Sequence, residues 1–77
     1  MLKKGVLMIT IKEIQTKLIN AIKECGLKQT ELAEKLKIKQ QTIACYLSGR
    51  AMPALDTFAN LCKVLDLDAN EILCIGE

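Results

Sequence analysis

"KIKQQTIACYLSGR", from Lys37 to Arg50, is the stretch on which the reading of this chain turns. It opens on alternating lysines, passes through Gln40 and Gln41, and closes on Ser48-Gly49-Arg50. Only Ile43, Tyr46 and Leu47 are residues that seek a core. On a helix of about 100° per residue, Gln40, Ala44, Ser48, Gln41 and Cys45 fall within an arc of about 140°. Thr42, Ile43 and Tyr46 fall opposite, with Leu47 at the border. The stretch thus predicts a short helix with one docking face and one strip of small or amide side chains. A solvated face carries Lys and Glu instead, as "QTELAEKL" from Gln29 to Leu36 does. The strip is shaped to lie close against another surface.

The flanking segments predict further helices. "TIKE" opens the first: Thr10 can cap the Glu13 amide and Glu13 can reach back, a capping box. Ile11, Ile14, Leu18, Ile22 and Cys25 follow at helical spacing, and Gly26 stops the run where a left-handed residue is needed. The second helix, about Gln29 to Leu36, buries Leu32, Ala33 and Leu36. "KIK" is a tight connection anchored by Ile38. After the third helix, Ser48-Gly49 and then Pro53 break the chain. A fourth helix runs from about Leu55 to Leu65 with Leu55, Phe58, Leu61, Cys62 and Leu65 as its apolar stripe. "DANEILCI" ends the chain's helical part and opens with a second capping box, Asp68 and Glu71. The expected fold is all-α, a single five-helix domain over residues 10–77, with two short helices joined by a tight turn at about 29–47. Residues 1–9 form a short apolar extension. Its Gly5–Ile9 run is too short for a helix and suits a strand that pairs with its copy in a dimer or packs along the body.

Composition narrows the class. With 77 residues, one domain is allowed, rich in Leu, Ile and Ala, with one Tyr, one Phe and no Trp. Net charge is +2, but residues 1–50 carry ten Lys or Arg against four Glu, and residues 51–77 one Lys against five Asp or Glu. A basic part and an acidic part are expected where one face meets a polyanion; lysines that merely solvate helix faces give the same count. Cysteines at 25, 45, 62 and 74 are widely spaced, and there is no histidine. Neither a zinc site nor a disulfide framework is expected, and no metal or cofactor is implied. "MLKKGVLMITIKE" imitates a signal peptide, but the apolar run ends at Lys12 and nothing is long enough to span a bilayer. A cytoplasmic protein with reduced thiols is expected. No enzyme is indicated: there is no Ser/His/Asp arrangement, no glycine-rich phosphate loop and no metal cluster.

What the strip meets is suggested by its neighbours. Lys28, Lys35, Lys37, Lys39 and Arg50 bracket it and can meet phosphates. Gln29 opens the second helix, where backbone amides and the helix dipole favour a phosphate. A glutamine amide pairs bidentately with adenine N6 and N7 in the major groove, which admits an α-helix. The stretch "GLKQTELAEKLKIKQQTIACYLSGRAMPALDTFANLCKVLDLDANEIL" resembles the phage-repressor and Cro type of helix-turn-helix domain, the XRE-like, lambda-repressor-like family. The signposts are Gln29, Leu32-Ala33, Leu36, Ile38, Ile43, Tyr46, Gly49, Pro53, Leu55, Leu61, Leu65 and Leu73, in order and at the family's spacing.

The resemblance implies a recognition helix starting at Gln40. Base contacts map onto Gln40, Gln41 and, further along, Ala44 or Cys45. Phosphate contacts map onto Gln29 and the turn Ser48 to Arg50, with Lys28, Lys39 and the Tyr46 hydroxyl as further partners. Cys45 stands where a polar reader often stands; it touches a thymine methyl or makes no base contact. The chain departs from the family where Lys37 takes the turn position usually held by glycine, at a cost of about 1 kcal/mol. Lys28, Lys39 and Ala54 replace customary polar N-caps. The expected function is a sequence-specific double-stranded DNA-binding regulator, a repressor, acting as a homodimer on a palindromic operator. The rival is a protein-interaction helix-turn-helix module, such as an antitoxin, using the acidic C-terminal part. Neither membrane association nor a small-molecule ligand is indicated.

Overall fold

The computed structural model describes residues 8–75. They form five helices: α1 (Ile11–Glu24), α2 (Gln29–Leu36), α3 (Gln40–Ser48), α4 (Leu55–Leu65) and α5 (Ala69–Ile72). α2 packs on α3 and α4, while α1 packs on α3 and α5. Each helix gives its most buried residues to one core: Leu18 and Ile22, Leu32 and Ala33, Ile43 and Tyr46, Phe58 and Leu61, and Ile72. No polar or charged residue is buried among the described residues. Removing a fully enclosed side chain such as Ile43 or Leu61 by substitution with Ala should cost about 2–5 kcal/mol.

The helix starts are uneven. Thr10 and Glu13 form the expected capping box, with the Glu13 amide donating to the Thr10 hydroxyl at 3.2 Å and the Thr10 amide to the Glu13 carboxylate at 2.9 Å. α2 has half a box. The Lys28 amide donates to the Glu31 carboxylate at 2.9 Å, but a lysine side chain has nothing to accept with. Lys39 and Ala54 provide no side-chain cap for α3 and α4.

The helix stops fall into two kinds: α2, α3 and α4 end directly on a left-handed residue, while α1 and α5 pass through one more right-handed residue, Cys25 or Leu73, before it. A left-handed residue follows every helix: Gly26, Lys37, Gly49, Asp66 and Cys74, with φ of 82°, 58°, 83°, 56° and 64°. After α3, the Gly49 amide donates to the Tyr46 carbonyl at 3.2 Å and the Arg50 amide to the Cys45 carbonyl at 3.0 Å. That pair of bonds is a Schellman closure, which satisfies carbonyls the helix leaves free. Lys37 sits in the strained turn that the family resemblance implied.

Several expectations need correcting. Ile11 is 61% exposed and Leu55 84% exposed, so neither belongs to an apolar stripe. Both open their helices, a turn ahead of the first residue that meets the core. Asp68 and Glu71 do not form a reciprocal box. Asp68 caps the Asn70 amide at 3.0 Å, and the Glu71 amide bonds the Asp68 backbone carbonyl instead. The last helix is a single turn that ends at Ile72. Ile72 is core, whereas Ile75, just beyond the helix, is 58% exposed. Most of the Gly5–Ile9 run lies outside the described residues; Met8 and Ile9 are exposed.

Candidate nucleic-acid interface

α3 is held by Ile43 and Tyr46, so its opposite face is fixed outward. Gln40, Gln41, Ala44 and Ser48 are exposed and Cys45 is half-buried. None of these side chains is charged. The structure therefore gathers the expected base-reading residues on one face of one helix. Without a side-chain cap at Lys39, the first amides of α3 also point outward; the Thr42 and Ile43 amides are taken by the Lys39 carbonyl. Free amides at a helix start attract anionic oxygen.

α2 approaches the same side. Lys28, Gln29 and Gln40 stand together around an open depression of about 560 Å³, floored by Leu27, Ile43 and Leu47 among others. Gln29, the first residue of α2, is exposed, and Glu31 uses its carboxylate on the Lys28 amide one step earlier. The Gln29 and Thr30 amides are left to face solvent. Glu31 also places negative charge beside any phosphate there, so the lysine at 28 offsets a carboxylate as well as attracting a backbone.

The turn after α3 holds the third group. Arg50 is exposed, and its amide is tied to the Cys45 carbonyl. The Ser48 hydroxyl donates to the same carbonyl at 3.2 Å, so its proton is engaged and its oxygen remains as an acceptor. A phosphate would have to draw that hydroxyl away from its own helix. Lys39 is exposed immediately before α3.

Tyr46 is a core residue, as its place opposite the strip predicts, with its ring 6% exposed. Burial pushes its hydroxyl pKa up, and the Asp56 carboxylate and the Cys45 thiol push in the same direction. The hydroxyl stays protonated at neutral pH, and any phosphate contact is confined to that group. Burial also raises the Cys62 thiol, with Asp68 adding to it.

One residue at this site is not expected from sequence. The Gln15 amide nitrogen donates to the Gly49 carbonyl at 3.1 Å, joining α1 to the turn after α3. A glutamine between the core positions of α1 carries no local signal for a partner 34 residues away.

An exposed, uncharged helix face flanked by lysines and a helix start is the arrangement of a DNA-binding helix-turn-helix domain. A family model described as Helix-turn-helix matches residues 18–72, more than half of the chain, and the chain belongs to this XRE-type family. The family is one of DNA-binding regulators rather than of enzymes. No curated protein and no solved structure gives a significant match to the chain. No helix among the described residues is long and apolar enough to cross a membrane.

Proposed function

We propose that the protein is a sequence-specific transcriptional repressor that reads the major groove of double-stranded DNA with α3. The observation that carries this reading is the exposed, uncharged strip of Gln40, Gln41, Ala44 and Ser48, with Cys45 at its edge. Small side chains let a helix enter the groove closely, and the paired amides suit adenine edges. Lys28, Gln29, Lys39, Ser48 and Arg50 hold the phosphates on either side, and such contacts fix register without reading sequence. One short helix reaches few base pairs, so a homodimer on a palindromic operator supplies the rest of the specificity. Ile75, together with the apolar residues that precede α1, is the proposed source of the pairing surface.

A second reading rests on a different surface. Asp66, Asp68 and Glu71 are exposed on the C-terminal part, at the end of α4 and around α5, close in sequence to an exposed Val64. A basic protein partner, as in an antitoxin complex, would meet that surface. Selection of bound sequences from random duplex DNA tests the two readings together. A palindrome with adenine in each half-site is the outcome expected of the repressor. Absence of any enriched duplex, with no binding at low salt, would transfer the proposal to the protein-interaction reading.

A further inference from the structure

Among the described residues, the side-chain hydrogen bonds other than that of Gln15 join residues at most four apart, whereas Gln15 and Gly49 are 34 apart. What this bond grips is the peptide unit between Gly49 and Arg50. The unit is planar and rigid. Its N–H end, on Arg50, donates to the Cys45 carbonyl at 3.0 Å. Its carbonyl end, on Gly49, accepts from Gln15 at 3.1 Å. One plane is thus clamped from both polar ends, by α3 on one side and by α1 on the other. Gly49 itself is left-handed, with φ of 83°, and glycine offers little resistance of its own to rotation of the next peptide. The Gln15 carboxamide also lies 3.8 Å from where a Cβ on Gly49 would be, covering the turn.

We propose that Gln15 is a positioning residue of the DNA interface: by clamping the Gly49–Arg50 peptide it sets the direction in which Arg50 leaves the end of α3 toward a phosphate. This inference rests on the DNA-binding reading above. Gln15 brings no charge, so it adds nothing to long-range attraction. It acts through the geometry of Arg50 alone. An arginine anchored on a fixed peptide loses less freedom when it binds than one on a swinging turn.

The test is a double-mutant cycle on the parent's own selected duplex. Gln15→Met keeps the length of the side chain and removes the donor; Gln15→Ala removes the amide without adding exposed apolar bulk. Each is paired with Arg50→Ala, and melting curves establish that all variants fold. Either Gln15 variant should bind about 2- to 10-fold more weakly than the parent, the range set by one net hydrogen bond. In the Arg50→Ala background the same change should have almost no effect. In the free protein, hydrogen exchange at the Arg50 amide should be faster in both Gln15 variants. Equal losses in the two backgrounds, or unchanged Arg50 exchange, would overturn the positioning role while leaving DNA binding intact. A parent protein that binds no duplex would overturn the proposed function and this inference together.

Discussion

The Ile38 amide donates to the Ala33 carbonyl at 3.0 Å, across Lys37 in its left-handed conformation. With the Lys37 amide on the Glu34 carbonyl at 3.2 Å, it closes α2 in a complete Schellman turn and swings Ile38 into contact with the core. The angle between α2 and α3 is therefore set at a residue whose side chain opposes the backbone it adopts.

Lys37→Gly removes that opposition. The left-handed conformation costs a side-chain-bearing residue about 1–2 kcal/mol, and the extra freedom of glycine in the unfolded chain takes back part of the gain. A net stabilisation of up to about 1 kcal/mol is expected, raising the melting midpoint by about 4–8 °C for each 1 kcal/mol gained. Thermal melts of the two proteins check it. A lower midpoint would mean that Lys37 makes compensating contacts.

The interface residues should fail in two ways. Gln40→Ala or Gln41→Ala should cost about 1–3 kcal/mol on the best operator and far less on random DNA. Arg50→Ala should weaken binding to all sequences and reduce the salt dependence by about one phosphate's worth. Titrations on two duplexes at several salt concentrations separate the classes. Equal losses on both duplexes for the glutamine variants would remove Gln40 and Gln41 as readers.

Pairing is tested at Ile75, which is 58% exposed. Ile75→Asp should weaken self-association by about tenfold or more, the loss of one buried isoleucine. A chain beginning at Met8 tests the contribution of the preceding apolar run. Sedimentation equilibrium reads both. A parent protein that is monomeric at high micromolar concentration would restrict pairing to the DNA-bound state.

Alkaline pH should act on the core through Tyr46. Its folded-state pKa lies above the unfolded value of about 10, first because of burial and then because of Asp56 and Cys45. The neutral form thus favours the fold. That contribution is complete below about pH 10 and is lost as pH rises through the folded value. Tyr46→Phe should flatten the decline in melting temperature above about pH 10, measured in reductant. An equally steep decline in the variant would assign it to another group, with the raised Cys62 thiol as the next candidate.

What the sequence makes legible here is what is local. α2 and α4 fall at Gln29–Leu36 and Leu55–Leu65 as expected, because their stops and periodicity are written within each segment. The outward strip of α3 follows from two core anchors, Ile43 and Tyr46. Leu55 misleads because hydrophobicity records what a residue prefers, and the first turn after Pro53 lies beyond the reach of the core. Asp68 misleads in a subtler way: the spacing to Glu71 fits a box, but a one-turn helix closes on the Asp68 backbone carbonyl first. The Gln15–Gly49 bond is invisible in sequence, since nothing near either residue specifies the other.

The helix stops have a kinetic consequence. Their backbone bonds, like the others outside the helices, join residues no more than six apart in the described chain. Little loop entropy is spent in closing these turns, and small helical domains fold in microseconds to milliseconds. A molecule that opens would close again before its aliphatic interior met another chain. Stopped-flow refolding should then be complete within the dead time or just beyond it, with Lys37, Asp66 and Cys74 helping to set the rate at which the closed form reopens.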